Sequence, residues 1–153
     1  MEQEWKTAST LAAQAHGLLS SEKDVIANAA NLSALLYLEL EQINWVGFYF
    51  LQDQELVLGP FQGKPACVRI PLGRGVCGKA AESRQTLRVA DVEQFSDHIA
   101  CDTASRSELV IPLVQNGKLL GVLDIDSPVT GRFSAADQAR LEEVARVYLD
   151  SIA

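Results

Sequence analysis

Apolar residues recur at helical spacing in the first quarter of the chain. Residues 4–18 show this spacing with many alanines, and a second apolar stripe runs from Val25 to Leu40. Such a period places apolar side chains on one face of a helix. Ser20 or Ser21 precedes the second stripe, and serine is a preferred residue at helix N-termini. The pattern predicts two N-terminal helices, the second capped by one of these serines.

The pattern becomes that of β-strands at Asn44. Aromatic residues and valine, which fit a pleated and half-buried surface, dominate residues 44–50, and a second run covers residues 55–61. The polar link at residues 52–54 predicts a hairpin turn between these two strands. The shorter predicted elements that follow are a strand over residues 66–71, a helix over residues 76–83 flanked by glycines, and a strand over residues 86–90.

A hairpin and a long loop are predicted in the second half of the chain. Asn116 and Gly117 separate the apolar runs 109–114 and 119–125, and this dipeptide favours a two-residue hairpin turn because both residues tolerate positive φ. Residues 91–107 have few aliphatic side chains and no sustained period. They predict one long loop, and loops of this length are often functional.

A final helix is predicted after Ser134, because Ser134 and Asp137 have the spacing of a capping box, with aspartate in place of glutamate. Together the elements predict a single α+β domain over residues 1–153, with about six antiparallel strands and helices packed on the sheet. The helix at 76–83 and the loop at 91–107 would cover one face of the sheet. We therefore expect a ligand pocket beneath them.

Charge and hydropathy narrow the possible partners. The chain has 153 residues, with 13 basic and 20 acidic side chains and a formal net charge of −7. Such a balance repels nucleic acid and anionic lipid surfaces. The N-terminus carries two glutamates where a secretory signal needs positive charge, and no apolar run approaches the ~20 residues of a membrane span. We expect a cytoplasmic protein.

Three cysteines require an explanation, since an odd number in a chain of this size does not build a structural disulfide framework. Cysteine can simply pack as a small hydrophobe. Cys101, however, lies in the polar part of the 91–107 loop, which favours an accessible thiol. A nucleophilic cysteine must be partly ionised, and His98, loop amides and Arg106 could each assist.

Acyl transfer, zinc binding and redox chemistry are the alternatives for these cysteines. Acyl transfer is disfavoured because His98 is only three residues from Cys101 in a loop, whereas the base in such enzymes is oriented by a third group held elsewhere. Zinc could use Cys67, Cys77, His98 and Cys101, but none of these cysteines forms a C-x-x-C pair. Redox chemistry suits two or three cysteines, since one attacks and another closes a disulfide. Cys67 or Cys77 could resolve, and the start of the 76–83 helix would favour a Cys77 thiolate.

Three carboxylates form a second candidate group. With a turn at residues 116 and 117, position 108 pairs approximately with position 125, so Glu108, Asp124 and Asp126 lie near one end of the hairpin. They could form a solvated sheet edge. If they instead face the pocket, crowding would raise at least one pKa to give a proton donor, while another carboxylate would hold a cation. A zwitterionic amino acid fits such a site.

Trp45 and Tyr49 are four residues apart on a predicted strand and so share one face of the sheet. Two aromatic rings on one face could form a wall for a small apolar group. Plain packing in the core is an equally good interpretation.

Four runs of the sequence are distinctive as a set: NWVGFYF, LGPFQGKPACVRIPLGRGVCGKAA, DVEQFSDHIACDTASRSELVIPL and GVLDIDSP. They resemble the free methionine-(R)-sulfoxide reductases, which are built on a GAF-type domain, and the similarity covers most of residues 31–150. The resemblance implies a six-stranded antiparallel GAF sheet, commonly in a homodimer. It also implies reduction of free methionine (R)-sulfoxide to methionine with thioredoxin as reductant, and no metal or other cofactor is expected.

The motifs of this family also imply roles for individual residues. By this resemblance, Cys101 in HIACD is the nucleophile, Cys67 in PACVRI is the main resolving cysteine, and Cys77 in GVCG is an auxiliary thiol. The residues that match substrate-binding and proton-donating acids or the pocket for the methyl group are Glu108, Asp124, Asp126, Trp45 and Tyr49.

The sequence departs from the family pattern at one place. Ser96 and Asp97 stand where many members have Pro-Gly before the histidine, which would change loop mobility more than chemistry. A non-enzymatic GAF sensor that binds a small ligand in the same pocket is the alternative, because fold does not fix function. Sensor modules usually adjoin an output domain, and the short stretch after the last predicted helix favours a stand-alone enzyme.

Overall fold

A central antiparallel sheet organises the computed structural model, which describes residues 10–99 and 104–153. The strands are β1 Trp45–Gln52, β2 Glu55–Gly63, β3 Arg69–Pro71, β4 Leu87–Val89, β5 Ser107–Gln115 and β6 Lys118–Ser127. Their order across the sheet is β3-β2-β1-β6-β5-β4. The helices of the described residues are α1 Thr10–Leu19, α2 Val25–Glu39, α3 Gly75–Ser83 and α4 Ala135–Ser151, with a 3-10 turn at Val92–Gln94. The predicted α+β architecture with six antiparallel strands is confirmed.

Both faces of the sheet are covered. Strand side chains such as Val46, Phe48 and Leu123 point to one face, where they join the apolar sides of α1, α2 and α4 in one core. The alternating positions, among them Tyr49 and Val122, point to the other face and pack with α3. Alternation along central strands therefore divides the molecule into a large core and a smaller one. The smaller core borders the pocket described below.

The predicted cap of α2 is wrong. Asp24, not Ser20 or Ser21, accepts the hydrogen bond from the Ala27 N–H, at 2.8 Å. The side chain of Glu22 accepts hydrogen bonds from the next two backbone N–H groups and holds this segment in a turn. The helix consequently begins later than the serines allow.

Two local signals in the last third of the chain are confirmed, the hairpin turn after β5 and the cap of α4. Asn116 and Gly117 have φ values of 52° and 76° and connect β5 to β6. Ser134 and Asp137 form a complete capping box at the start of α4. Both signals act over a few residues, so they do not depend on the rest of the fold.

The register of this hairpin differs by one residue from the simple expectation. Glu108 pairs with Asp126, not with Ile125, because an irregularity between Leu113 and Val114 shifts the ladder. A shift of one residue moves side chains to the opposite face of a strand. Here it aligns the side chains of Glu108 and Asp126 on the same face.

The strand predicted over residues 66–71 is shorter than expected. β3 covers only Arg69–Pro71, although the Val68 carbonyl still accepts a hydrogen bond from the Leu58 N–H at 2.9 Å. The Cys67 carbonyl accepts its hydrogen bond from the Tyr49 hydroxyl instead of from a neighbouring strand. This side-chain contact directs the segment before β3 towards the pocket. Among the described residues, no helix has the length and apolar character needed to cross a membrane.

Two glycine substitutions should change stability in opposite directions. A Cβ atom at Gly121 in β6 would overlap the Tyr49 carbonyl oxygen of β1, so Gly121→Ala should lower the free energy of unfolding by about 2–3 kcal/mol. Gly17 in α1 has open space at its Cβ position, and Gly17→Ala should raise that free energy by about 0.5–1 kcal/mol. Urea denaturation measures both changes. A Gly121→Ala protein as stable as the wild type would contradict the close packing of β1 on β6.

Candidate active site

A pocket opens on the sheet face that carries the smaller core. Its floor is formed by side chains of β1, β5 and β6, and its walls by the start of α3, the segment before β3 and residues 98–99. This agrees with the predicted position beneath the helix and the long loop. Cys101, the sequence-predicted nucleophile, lies outside the described residues.

Three carboxylates form the acidic part of the pocket floor. Glu108 and Asp126 are directly paired across β5 and β6, and Asp124 lies two residues before Asp126 on the same face. Their exposed fractions are 7%, 9% and 6%, respectively. The interpretation as a solvated sheet edge is therefore wrong, since β6 is a central strand and all three acids are buried in the pocket.

Burial changes the ionisation of these acids. Loss of solvent raises the pKa of Asp124 well above its usual range, and the negative charges of Asp126 and Glu108 and hydrogen bonds with these neighbours raise it further. A charged group in an apolar environment without a counter-ion releases free energy by taking up a proton. Asp124 is consequently protonated more readily than an ordinary aspartate, as expected for a pocket-facing acid.

Cys77 lies in the first turn of α3 and belongs to the same buried group. Its thiol is free, and its Sγ is 3.8 Å from Glu108 Oε2. Burial raises the pKa of the Cys77 thiol well above its usual range, and Asp124, Glu108 and Asp126 raise it further. The expectation that the helix start would favour a thiolate is therefore wrong, because desolvation and three nearby acids outweigh the helix dipole.

An aromatic wall stands beside the acids. The Trp45 and Tyr49 rings stack with centroids 5.9 Å apart, and Trp45 also stacks on Phe61 at 5.3 Å. The Trp45 indole N–H donates to the Lys64 carbonyl at 3.1 Å. Phe61 was not predicted as part of this wall, although its place in the second strand-like run, opposite Gly47 of β1, was a usable signal. The stacked rings give the pocket a rigid apolar side.

Tyr49 connects this aromatic wall to Cys67. Its hydroxyl donates to the Cys67 carbonyl at 2.9 Å. Burial raises the pKa of Tyr49, and the neighbouring acids raise it further, so the hydroxyl remains a donor. Cys67 is half-buried, follows the pocket-lining Ala66, and is disulfide-bonded.

His98 and Arg74 complete the described rim of the pocket. The His98 Nε2 lies 3.8 Å from Glu108 Oε1, so the histidine faces the acids. Arg74 precedes α3 and pairs with Asp97, a contact that the sequence analysis did not anticipate. Its position between two glycines, in the run LGRGVCG, marked a turn but gave no partner 23 residues away.

A cation could be held by part of this group. The ligand atoms of Cys77, Glu108 and Asp124 lie within 4.8 Å of one another. This set differs from the zinc set considered from the sequence, since its oxygen donors come from β5 and β6. Cys67 contributes no thiolate while it is disulfide-bonded.

The chain is similar to proteins of known family. The GAF domain family matches residues 8–148. The free methionine-R-sulfoxide reductase of Escherichia coli K12 is 56% identical over 129 residues, which cover 84% of this chain and 78% of that protein. The fRMsr of Staphylococcus aureus in complex with its substrate superposes with a TM-score of 0.90 at 52% identity, covering 94% of both chains.

A second solved structure gives a similar result. The free methionine-R-sulfoxide reductase of Neisseria meningitidis in complex with its substrate has a TM-score of 0.89 and 44% identity. The match covers 93% of this chain and 86% of that one. Relatives of this name therefore share both the fold and close to half or more of the aligned residues.

Removing the charge of Asp124 should stabilise the protein at high pH. Because its pKa is raised in the folded state, folding retains a proton that the unfolded chain releases, and stability falls as pH rises above the usual aspartate range. Asp124→Asn removes this penalty, so its thermal midpoint should exceed that of the wild type by about 2–4 °C at pH 8 and by less at pH 5. Thermal unfolding followed by circular dichroism at both pH values measures the difference.

Asp137→Asn is the matched control, for which the expected change in the thermal midpoint at pH 8 has the opposite sign. Burial opposes ionisation there, but hydrogen bonds from Ser134 and the charges of Arg132 and Arg140 outweigh it and lower the pKa of Asp137. The ionised Asp137 stabilises the fold at pH values above the usual pKa range of aspartate, and this contribution disappears as pH falls. Asp137→Asn should therefore lower the thermal midpoint at pH 8. An Asp124→Asn midpoint below that of the wild type at pH 8 would contradict the protonated state of Asp124.

Proposed function

This chain belongs to the free methionine-R-sulfoxide reductases of the GAF-domain family, and we propose that it reduces free L-methionine (R)-sulfoxide to L-methionine through Cys101. The observation that carries the proposal is the buried group of three acids beside the stacked pair Trp45 and Tyr49. One side of this pocket suits the charged end of an amino acid, and the other suits its methyl group.

The acids divide into two tasks. Glu108 and Asp126 bind the substrate ammonium group, since carboxylates on a buried floor are stabilised by a cation that replaces water. Asp124, whose pKa is raised by burial and by its two neighbours, donates a proton to the sulfoxide oxygen. The aromatic wall contacts the S-methyl group.

The chemical steps balance with two thiols. The Cys101 thiolate attacks the sulfoxide sulfur, Asp124 protonates the oxygen, and transfer of that oxygen to Cys101 yields methionine and a cysteine sulfenic acid. A second thiol then attacks the sulfenic sulfur, which forms a disulfide and releases water. The sum is one sulfoxide and two thiols converted to methionine, water and one disulfide.

Cys67 is the proposed resolving cysteine. Its disulfide-bonded state supports this role, as does its place directly after Ala66, which lines the pocket. Cys77 is a free, buried thiol, and the acids around it raise its pKa, so it is poorly suited to attack. We assign Cys77 an auxiliary role, in which its S–H contacts Glu108 on the floor.

Thioredoxin is the proposed reductant, and a homodimer is the proposed assembly. A dithiol protein needs access to the disulfide, and Cys67 is half-buried between Pro65 and Val68, both of which are exposed. Accessible disulfides are the ones that exchange readily with an attacking thiol. No metal ion or other cofactor enters the proposed cycle.

Cysteine variants should separate the two thiol steps. With free methionine (R)-sulfoxide in excess and no reductant, prereduced Cys101→Ser should form no methionine, because the attacking sulfur is absent. Cys67→Ser should form about one methionine per chain and then stop, because its sulfenic acid has no resolving partner. Quantifying methionine per chain by chromatography measures both results. Circular dichroism confirms that the variants are folded, and a fully active Cys101→Ser protein would refute the mechanism.

Substrate analogues should test recognition of the ammonium group. N-acetylation or incorporation into a peptide removes this charge and leaves Glu108 and Asp126 without their cation. We expect kcat/KM at least about a hundredfold lower for peptide-bound than for free (R)-sulfoxide, because unpaired buried polar groups discriminate strongly. The free (S)-sulfoxide should also be poor, since it points its oxygen away from Asp124. Equal rates on free and peptide-bound (R)-sulfoxide with thioredoxin recycling would refute the assignment of the acids.

A further inference from the structure

Helix α3 begins without a cap from its own segment. Its N-cap residue, Arg74, makes no side-chain cap hydrogen bond. Instead, the Asp97 carboxylate accepts a hydrogen bond from the Gly75 N–H at 3.2 Å. A carboxylate at a helix N-terminus is stabilised by the helix dipole and by unpaired N–H groups. Asp97 thus caps α3 from the loop that follows β4.

The same carboxylate is bound by a guanidinium. Arg74 Nε lies 3.1 and 3.0 Å from the two oxygens of Asp97, and Arg74 Nη2 lies 3.0 Å from Oδ1. The hydrogen bond from Arg74 and that from the Gly75 N–H lower the pKa of Asp97, so it is ionised at neutral pH. A contact that uses both oxygens fixes direction as well as distance.

The backbone at Asp97 is in an uncommon conformation. Its φ of 84° lies in the left-handed region, which is unfavourable for residues with a Cβ and in which aspartate is tolerated better than most. Such a conformation persists when surrounding contacts determine it. The contacts to Arg74 and to the Gly75 N–H determine the conformation at Asp97.

The next two residues complete the rim. His98 Nε2 lies 3.8 Å from Glu108 Oε1, and the Ile99 side chain packs over Gly75, where an added Cβ would be 3.1 Å from Ile99 Cδ1. A second contact ties the loop to α3, since Lys79 Nζ lies 4.9 Å from the centre of the Phe95 ring. The direction of the chain at Asp97 therefore decides where His98 and Ile99 meet the pocket.

We propose that Arg74 and Asp97 form a positioning pair that sets the width of the substrate pocket. The pair holds the start of α3 against residues 98 and 99, which places His98 beside Glu108 and Ile99 over Gly75. This inference rests on the proposed function, because Glu108 is its substrate-binding acid. In this proposal the pair acts through residues 98 and 99 and not on the reacting sulfur, so its loss weakens substrate binding and leaves the chemical step largely intact.

Steady-state kinetics of Asp97→Asn, Arg74→Gln and the double variant test the proposal. Asn also tolerates positive φ, so Asp97→Asn removes the charge with little change in backbone preference. We expect each single variant to raise KM for free methionine (R)-sulfoxide about tenfold and to change kcat by less than about twofold. The KM of the double variant should equal that of the single variants, because each single substitution already removes the one interaction between the two side chains. Arg74→Lys, which retains the charge, should recover part of the affinity.

The surface pair of Glu55 and Arg69 supplies the matched control. It is also an exposed ion pair, at 3.2 Å, and it connects β2 to β3, but neither Glu55 nor Arg69 is among the residues that line the pocket. Glu55→Gln and Arg69→Gln should therefore leave KM within about twofold of the wild type. An unchanged KM in Asp97→Asn, or the same rise in the control variants, would overturn the proposal. An inactive wild type in the same assay would instead refute the proposed function.

Discussion

Burial of three carboxylates on one sheet face is the constraint on which the pocket depends. Glu108, Asp124 and Asp126 project from adjacent central strands, and all three are buried in the pocket. Three ionised carboxylates in this position would repel one another and lose solvation. Protonation of Asp124 relieves part of this repulsion, and a bound cation would relieve more. The floor is thereby prepared for a positively charged group.

The rest of the fold supplies the rigidity that this arrangement needs. The opposite face of the same strands packs against α1, α2 and α4, and the Phe48 and Tyr148 rings lie 4.7 Å apart in that core. A dense apolar core offsets the unfavourable free energy of a buried polar site.

The pKa of Cys77 shows how the acids of the floor influence a neighbouring group. Its thiol lies at a helix start, where a dipole lowers a thiol pKa, yet the acids and burial raise it.

Hydrogen bonds and one ion pair connect the pocket floor to the segments around it that carry Cys67 and His98. Tyr49 belongs to the aromatic wall and also holds the backbone of Cys67. Asp97 caps α3, binds Arg74 and directs the next residues towards Glu108. Each contact joins segments that are distant in sequence. The geometry of the rim therefore results from contacts between distant segments. The types of the reactive residues, in contrast, can be read from short stretches of the sequence.

Local and periodic signals alone determined the main elements. The Asn116-Gly117 turn, the capping box at Ser134 and the alternation of β1 act over a few residues, so neighbouring sequence is sufficient to predict them. The pairing of strands then placed Trp45 and Tyr49 on one face, and Glu108 near the two aspartates. The motifs around the cysteines were specific enough to indicate the family.

Only the tertiary structure decided the remaining features. The one-residue shift that pairs Glu108 with Asp126 arises within the hairpin ladder, and Phe61 joins the aromatic wall through pairing of β2 with β1. The protonation of Asp124 and of Cys77 depends on burial and on charges from other strands, which no local pattern contains. The capping of α3 by Asp97 joins residues more than twenty positions apart. Sequence determined which groups are present, and folding decided their distances and solvation, on which their charge depends.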